Sequence, residues 1–202
     1  MLEYAGGWAW GFSLADHVVG YVEGIALADP AHPTHFVCEK CAPVTPDGAI
    51  LSPVIATLPM GARLHGTEAG ACLVTEYGCV ALSHLRAIGD DEPDPAIVAE
   101  RLLGAPFLPG GRSAGGIDAP ALVQLALSLC GVAAPRLLDQ LAALGTPVPA
   151  GAAAHRNDLI LFDGSVGLMI DDLMMIHASR GAGKVIVEPA PRSGAARRRP
   201  PL

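Results

Sequence analysis

The order of apolar and polar residues divides the chain into a first half of short alternating stretches and a second half built around one apolar helix. Gly7–Phe12 alternates large and small residues, and Val18–Val22 is another short apolar stretch, as in half-buried strands. Further along, Asp118 is followed by a largely apolar run to Leu129, with Gly131 just beyond it. Aspartate is a favoured N-cap and glycine a favoured residue after a helix, so this run predicts a helix that starts after Asp118.

The first half of the chain contains an internal repeat. Gly70–Val74 matches Gly7–Gly11, and Gly78–Leu85 matches Gly20–Leu27. Between its two matching stretches, the first copy carries a short insertion around Asp16–His17. A repeat of this size predicts two copies of one small β unit.

The second copy, residues 30–88, is complete and predicts an all-β domain. Turns rich in Pro, Gly and Asp separate five expected strands, which are Phe36–Cys41, Ser52–Leu58, Ala62–Gly66, Cys72–Thr75 and Cys79–Leu82. Five short strands in so few residues are typical of a small SH3-like barrel. The first copy, residues 1–29, is a partial unit that lacks its front half and would leave an open sheet edge. Either the start of the chain is truncated or this fragment pairs with another part of the molecule.

Residues 89–190 are predicted to form an α+β domain. The linker Asp90–Pro95 ends in a helix start, because Asp94 suits the N-cap and Pro95 the first helical position. After the central helix we expect a short helix at Leu137–Leu144 and strands at Leu159–Phe162, Val166–Ile170, Leu173–His177 and Val185–Val187. Helices followed by an antiparallel sheet are typical of α+β domains. The last residues, 191–202, carry the arginine run Arg197–Arg199 and predict a disordered basic tail.

Composition and charge argue against several classes of function. A hydrophobic fraction of 51% with 16% charged residues is ample for a core, and the net charge of -7 argues against general affinity for nucleic acid. No apolar run reaches the ~18 residues that a membrane-spanning helix needs. Met1–Tyr4 lacks the basic and apolar regions of a signal peptide, which predicts a cytoplasmic location for the chain as written, although its start looks truncated.

The five cysteines leave several alternatives open. Cys38 and Cys41 form a C-x-x-C pair, and Cys72 and Cys79 could complete four zinc ligands, with His32 or His35 as further candidates. A disulfide is the second alternative. We favour ordinary small strand residues, because the spacing of Cys72 and Cys79 is too wide for a zinc knuckle. Reduced cysteines suit a cytoplasmic chain, and no cofactor is predicted.

A set of motifs in the second half resembles the NlpC-type cell-wall peptidases, papain-like cysteine enzymes that cut peptidoglycan stem peptides. Their usual pattern is Gly-Gly-Arg-Ser, a short spacer, and then Asp-Cys-Ser-Gly-Leu-Val-Gln. This chain keeps Gly110–Ser113, Asp118 and Leu122–Gln124, but has Ala119–Ala121 in place of Cys-Ser-Gly. The resemblance continues in the same order through Pro135–Arg136, Asp139–Gln140, Arg156–Leu159, Val166–Met169 and Ile176–Ala178.

The resemblance implies a papain-like domain preceded by bacterial SH3-like domains, and a catalytic site of three groups. The helix tip would carry a cysteine nucleophile, the next strand a histidine base, and the following strand a polar residue that orients the base. In this chain the nucleophile position is Ala119, the base position is Ser165 and the orienter position is His177. Only the orienter is retained.

Substrate-binding positions are retained in part. In SH3-bearing relatives, the Asp before the nucleophile and an upstream Tyr hold the free amine of the stem peptide. The resemblance places these roles on Asp118 and on Phe107, which lacks the hydroxyl group. Arg112 and Ser113 are also retained, and Arg112 is compatible with either substrate binding or a structural role in its loop.

Three functions are therefore open. The first is a catalytically inactive homologue that binds a stem peptide or a protein partner. The alternatives are an active cell-wall peptide hydrolase with atypical site residues and a structural or regulatory subunit whose cleft is unused. The joint changes at Ala119, Pro120, Ser165 and Phe107 favour the first, because one engineered substitution would not explain all of them.

Overall fold

The computed structural model describes residues 1–14, 17–29, 32–49, 51–191 and 194–202, and its strands form two β units followed by a domain of helices and one large sheet. The first β unit is a three-stranded antiparallel meander of β1 (Glu3–Ala5), β2 (Trp8–Phe12) and β3 (Val19–Glu23). A 3-10 turn at Gly24–Ala26 follows it. The insertion expected around Asp16–His17 lies partly outside the described residues.

The second β unit consists of two small sheets around one apolar core. Its strands are β4 (His35–Val37), β5 (Cys41–Thr45), β6 (Ala56–Pro59), β7 (Arg63–Leu64), β8 (Thr67–Ala69), β9 (Cys72–Thr75), β10 (Gly78–Ala81) and β11 (Leu85–Ala87). One sheet has the order β6-β5-β10-β9-β8 and the other β11-β4-β7. Between them lie Val37, Ala42, Val44, Leu64, Leu73, Val80 and Leu85. The expected strand Phe36–Cys41 is in fact two strands, because the chain turns between Val37 and Cys41.

The internal repeat is visible in these elements. Strands β8, β9 and β10 form an antiparallel meander that leads into a 3-10 turn at Leu82–His84, as β1, β2 and β3 lead into the turn at Gly24–Ala26. The two meanders differ in burial. In β10 the side chains of Cys79 and Val80 are buried, whereas every residue of β3 is exposed. The second copy is covered by its own second sheet, which the first copy does not have.

The last domain contains three helices, α1 (Pro95–Glu100), α2 (Ala119–Leu129) and α3 (Leu138–Leu141), and a small hairpin of β12 (Arg112–Ser113) and β13 (Gly116–Ile117). Its main sheet has six antiparallel strands in the order β14-β19-β15-β16-β17-β18. These are β14 (Thr146–Val148), β15 (Leu159–Phe162), β16 (Ser165–Met169), β17 (Met174–Ser179), β18 (Lys184–Pro189) and β19 (Ala196–Arg199). This is the α+β arrangement expected from the sequence. In the part of the chain that the structure describes, no helix is long and apolar enough to cross a membrane.

The prediction of a disordered basic tail is wrong for Ala196–Arg199. These residues form β19, which lies inside the sheet between β14 and β15. The arginine run is not left in solvent because each side chain finds acceptors. Arg199 pairs with the buried Asp158, Arg198 donates to three main-chain carbonyls of residues 143–145, and Arg197 donates to the carbonyl of Ala152.

The second β unit packs directly on the last domain. Phe36, Cys38 and Met60 belong to the same buried cluster as the apolar face of α2. At Gly61 a Cβ would lie 2.7 Å from Cδ1 of Leu125, so the backbone approaches α2 closely at this point. Glu92 adds a polar connection, and its carboxylate accepts hydrogen bonds from Arg101 and Arg86. Helix α2 is therefore packed against the second β unit near Leu125.

Candidate functional site

The candidate site lies at the start of α2, where Asp118 is the N-cap. Its Oδ1 accepts a hydrogen bond of 2.9 Å from the N–H of Ala121, which satisfies one of the free donors of the first turn. Its Oδ2 accepts from the N–H of Gly110 at 2.9 Å and from Nη2 of Arg136 at 2.6 Å. Both partners of this ion pair are largely buried, with side-chain exposures of 13% for Arg136 and 15% for Asp118. The carboxylate of Asp118 thus already has three donors within the chain, one of them cationic.

Arg112 has a structural role in the same loop. Its Nη2 donates to Oε1 of Gln124 at 3.0 Å, and Nε2 of Gln124 donates to the carbonyl of Ala134 at 3.1 Å. The loop, the middle of α2 and the segment after α2 are thereby tied together through two retained residues. Ser113 accepts a hydrogen bond from the N–H of Gly115 within the β12–β13 turn. The sequence left two roles open for Arg112, and the hydrogen bond to Gln124 corresponds to the structural one.

The first residue of α2 offers no reactive group. Ala119 is 4% exposed and packs in the main core together with Ile117 and Leu122. The free N–H groups and the positive end of the helix dipole at this terminus would stabilise a thiolate, but a methyl group has nothing to ionise. Pro120 and Ala121 complete an apolar first turn. The first turn of α2 therefore has backbone N–H groups that could stabilise a thiolate, but its first residue, Ala119, has no side chain that could form one.

Ser165 and His177 lie on one face of the main sheet. Ser165 begins β16 and pairs with Phe162, whose ring is 5.3 Å from the His177 ring in an edge-on arrangement. Gly167 brings the two strands together, because a Cβ there would lie only 3.3 Å from Cβ of His177. Ser165 therefore lies on β16 and His177 on the neighbouring β17, where His177 is beside Gly167, two positions from Ser165 along the strand.

His177 is buried and its partner is a carboxylate that the sequence did not indicate. Nε2 of His177 lies 2.7 Å from Oε1 of Glu188 on β18, and only 5% of the histidine side chain is exposed. Nδ1 is buried without a hydrogen-bond partner among the described residues. With Glu188 ionised, the proton belongs on Nε2, because only an N–H can donate to a carboxylate. The His177 ring is thus oriented by Glu188 and Phe162, and not by a histidine at position 165, where this chain has Ser165.

Phe107, at the position of the amine-binding tyrosine, lies beneath a cation. The guanidinium carbon of Arg180 is 5.8 Å from the centre of the Phe107 ring, within the range of a cation–π contact. Arg180 and Lys184 are exposed on the β17–β18 hairpin, and neither has a carboxylate partner among the described ion pairs. This rim of the site is therefore positively charged.

Neither Cys130 nor Cys38 has an activated thiol. Cys130 lies at the opposite end of α2, where burial and then the nearby carboxylates of Glu92 and Asp94 raise the pKa of its thiol to about 12. Burial also raises the pKa of the Cys38 thiol. Both are therefore protonated near neutral pH, and a thiol is a poor nucleophile compared with a thiolate.

The cysteine alternatives raised by the sequence are not assembled as ligand sets. Cys38 is buried while Cys41 is exposed, and His35 is hydrogen-bonded to Thr34 and Glu68. Within the described ranges, all five cysteines are free and no group of three or more His, Cys, Asp or Glu side chains could hold a metal ion.

Three contacts of the site were missed by sequence reasoning. Arg136 was part of a quoted motif, but nothing in its spacing pointed to Asp118, which is 18 positions away. Glu188 shares a sheet face with His177, and alternation along β18 could have indicated this once the hairpin register was fixed. Arg180 gave no signal, because its contact with Phe107 joins a hairpin tip to a loop.

Comparisons with known proteins give one family match and several solved structures of similar fold. Residues 104–198 match the NlpC/P60 family model. An NlpC/P60 family protein from Bacillus cereus is 18% identical over 98% of this chain and 77% of its own, with a TM-score of 0.77. NlpC2 from Trichomonas vaginalis is 16% identical over 98% of this chain and 82% of its own, with a TM-score of 0.55.

A third solved structure is similar over about half of the chain. RipD from Mycobacterium tuberculosis, a non-catalytic NlpC/p60 domain protein, is 25% identical over 52% of this chain and 93% of its own, with a TM-score of 0.44. No curated protein matches the chain. The identities to the Bacillus and Trichomonas proteins support a shared fold and nothing finer. The match of residues 104–198 to the NlpC/P60 family model agrees with the resemblance that the motifs indicated.

Proposed function

We propose that this protein is a catalytically inactive NlpC/P60 homologue that binds a peptide or a protein partner through the cleft at the start of α2. The NlpC/P60 family includes cell-wall hydrolases and non-catalytic proteins, so a peptidoglycan stem peptide is the first ligand to test. The two β units would be SH3-like domains that accompany the peptidase fold, the first of them incomplete.

The observation that carries the proposal is the side chain at the start of α2. Acyl transfer needs a nucleophile in line with a base, and geometry is considered before pKa. Ala119 has no lone pair with which to attack, and Ser165 does not take a proton near neutral pH as an imidazole does. Removal of one member of a catalytic triad already lowers the rate by orders of magnitude, and here two of three are replaced.

Two arginines at the site, Arg136 and Arg180, affect how a ligand would bind. Asp118 is engaged by Arg136, and Arg180 lies over Phe107. Two cations therefore occupy the places where the resemblance puts the free amine of a stem peptide. We expect a bound peptide to rely less on its amine than a substrate of the active relatives, so that N-acetylated and free peptides bind with similar affinity.

The test combines hydrolysis and binding. Purified protein is incubated for a day with L-Ala-γ-D-Glu-diaminopimelate, and free diaminopimelate is measured by mass spectrometry. We expect none, and we expect calorimetric binding of the intact peptide. Turnover that disappears in an Asp118→Ala, His177→Ala double variant would show a working site and overturn the proposal. Absence of binding by folded protein would redirect the search to a protein partner.

Restoration variants provide matched controls. Ala119→Cys alone should remain inactive, because no histidine stands at position 165 to accept the proton of the thiol. Ala119→Cys combined with Ser165→His should gain activity if the cleft still admits the peptide. Ser165→His without the cysteine controls for effects of the histidine itself. Activity of the Ala119→Cys single variant equal to that of the pair would show that the base comes from elsewhere.

A further inference from the structure

One face of the first β unit carries three aromatic rings and two carboxylates. Side chains of directly opposed residues on neighbouring strands lie on the same face of a sheet. Glu3 on β1 and Tyr21 on β3 are both opposite Trp10 on β2, and Glu23 on β3 is opposite Trp8. Trp8 is 47% exposed and Tyr21 is 72% exposed, and both glutamates are exposed as well. These five residues are called the aromatic face below.

The aromatic face is the outer face of its unit. In the second β unit, the opposed pair Leu73 and Val80 faces the core between the two sheets. Val22 corresponds to Val80, because each stands two residues before the 3-10 turn that follows its meander. Val22 is opposite Ala9, which is 5% exposed, so this pair marks the inner face. A second sheet like that of the second unit would therefore cover Ala9 and Val22 and leave the aromatic face open.

The fold does not require large side chains on this face. On the outer face of the second unit, β9 and β10 carry only small or medium-sized residues, which are Cys72, Val74, Cys79 and Ala81. Two meanders of the same topology thus differ in what they present to the outside. Aromatic rings left in water forgo the free energy of burial, and contiguous exposed apolar surface is typical of interaction sites. The aromatic face is therefore suited to contact with another molecule.

The charge on the aromatic face is negative and unbalanced. Neither Glu3 nor Glu23 takes part in an ion pair within the part of the chain that the structure describes. No cation is described over its three rings, since the described cation–π contact joins Arg180 and Phe107 in the last domain. Tryptophan is the best aromatic partner for a cation, and a carboxylate forms strong hydrogen bonds with a cationic donor. The complementary group on a ligand is therefore a cation.

The spacing of the two carboxylates favours a peptide over a small cation. Glu3 and Glu23 lie on the strands at either side of β2 and are offset by two residues along it. With strands about 4.8 Å apart and a rise of about 3.4 Å per residue, their Cα atoms are roughly 12 Å apart. In an extended chain, residues four positions apart are separated by about 13.6 Å, a similar distance. A small ammonium ion reaches one carboxylate, whereas an extended peptide with two basic residues reaches both.

We propose that the aromatic face binds an extended basic peptide segment, with one arginine against Trp10 and Glu3 and a second against Trp8 and Glu23. Each guanidinium stacks on an indole ring and donates paired hydrogen bonds to the neighbouring carboxylate. Tyr21 contacts the apolar part of the peptide between the two arginines. None of the residues at the start of α2 belongs to this face, so this binding is separate from that proposed for the cleft.

Tryptophan fluorescence measures this binding directly, because Trp8 and Trp10 are the only two tryptophans of the sequence. The probe is the peptide Ac-Arg-Ala-Ser-Ala-Arg-amide. Its controls have one or both arginines replaced by citrulline, which has nearly the same shape but no charge. We expect a saturable change in fluorescence with the arginine peptide and an affinity about tenfold lower for each arginine replaced. Because exposed charges are screened by salt, the affinity of the arginine peptide should fall as the salt concentration rises.

Variants assign the binding to the aromatic face. Glu3→Gln and Glu23→Gln should each lower the affinity for the arginine peptide about tenfold, whereas Glu76→Gln, at an exposed glutamate in the second unit, should leave it unchanged. Tyr21→Thr should weaken binding of every peptide. Its matched control is Tyr77→Thr, because Tyr77 is 71% exposed but lies in the second unit.

Far-UV circular dichroism establishes that each variant is folded, and the glutamate variants still test the proposal if Tyr21→Thr does not fold. Equal affinity of the native protein for the arginine and citrulline peptides would overturn the proposal. Unchanged binding in a folded Glu3→Gln, Glu23→Gln double variant would overturn it as well. Sedimentation that shows a native dimer, dissociated by Tyr21→Thr, would assign the face to a second copy of the chain and likewise refute a peptide site.

Discussion

Replacing Arg199 with alanine should destabilise the last domain substantially, although Arg199 stands three residues from the end of the chain. Its Nε and Nη2 donate to Oδ1 and Oδ2 of Asp158 at 2.7 Å and 2.9 Å. The side chain of Asp158 is 1% exposed, and its one further donor in the described structure is the N–H of His155 at 2.9 Å. The variant would therefore leave a buried carboxylate with a single hydrogen bond.

The expected loss follows from that arrangement. Breaking a buried ion pair by removing one partner costs about 3–5 kcal/mol. Arg199 is 43% exposed on its own side, so we expect the lower end of this range, about 3 kcal/mol, because water can reach part of the site. In a domain of about 100 residues such a loss lowers the melting temperature by roughly 12–24 °C. A disordered tail would give no change.

The loss should also depend on pH in a defined direction. Burial by itself raises the pKa of Asp158, but the hydrogen bonds from Arg199 and from the His155 N–H outweigh it and hold the pKa below its usual value. A carboxyl group with a depressed pKa stabilises the fold above its unfolded pKa of about 3.9, and this contribution is lost as the pH falls through the folded value. The difference between native protein and Arg199→Ala should therefore be largest at neutral pH and shrink in acidic solution.

Urea unfolding followed by circular dichroism at several pH values measures this difference. Arg197→Ala is the matched control, because it removes a neighbouring arginine of the same strand that donates to one main-chain carbonyl, so it should cost about 1 kcal/mol. Deletion of residues 196–202 should unfold the domain, whereas deletion of residues 201–202 should be tolerated. Equal stabilities of Arg199→Ala, Arg197→Ala and native protein would refute the assignment of β19.

Two further predictions concern the contact between the units and the cysteines. Glu92→Ala should cost about 3 kcal/mol in urea unfolding and speed proteolysis between the β units and the last domain, because the Glu92 side chain is 2% exposed and its removal leaves Arg101 without its carboxylate partner. Asp90→Ala is the control: it removes only the exposed partner of Arg86 and should change stability by less than about 1 kcal/mol. Cys130, with its pKa raised to about 12, should resist a thiol reagent at pH 8 until the protein unfolds, while the exposed Cys41 reacts at once; rapid native labelling of Cys130 would contradict its described environment.

Elements set by local signals could be predicted from the sequence. The helix α2 lies between its N-cap Asp118 and Gly131, which has a φ of +76°, as the sequence indicated. Strand β15 has the expected bounds, and β16, β17 and β18 differ by one or two residues. In each case the deciding interactions lie within the element or with the next one along the chain.

Elements that depend on distant partners could not be predicted. β19 pairs with β14 and with β15, both more than 30 positions away, and its arginine run carries none of the apolar alternation that indicates a strand. The acceptor that stabilises Arg199 is a single buried aspartate 41 positions upstream. Composition therefore favoured disorder, and only the tertiary structure shows that the charges are neutralised and bonded.

The same distinction explains what the sequence could say about the site. The positions Ala119, Ser165 and His177 follow from motifs in order, and the structure places the last two on neighbouring strands. What the retained residues now do is decided by partners: Asp118 by Arg136, Arg112 by Gln124, and His177 by Glu188. Each pair holds a loop, a helix or a ring in place without needing a substrate. Because these structural roles need no nucleophile, Asp118, Arg112 and His177 would be retained in an inactive protein as well, and their presence alone does not indicate catalysis.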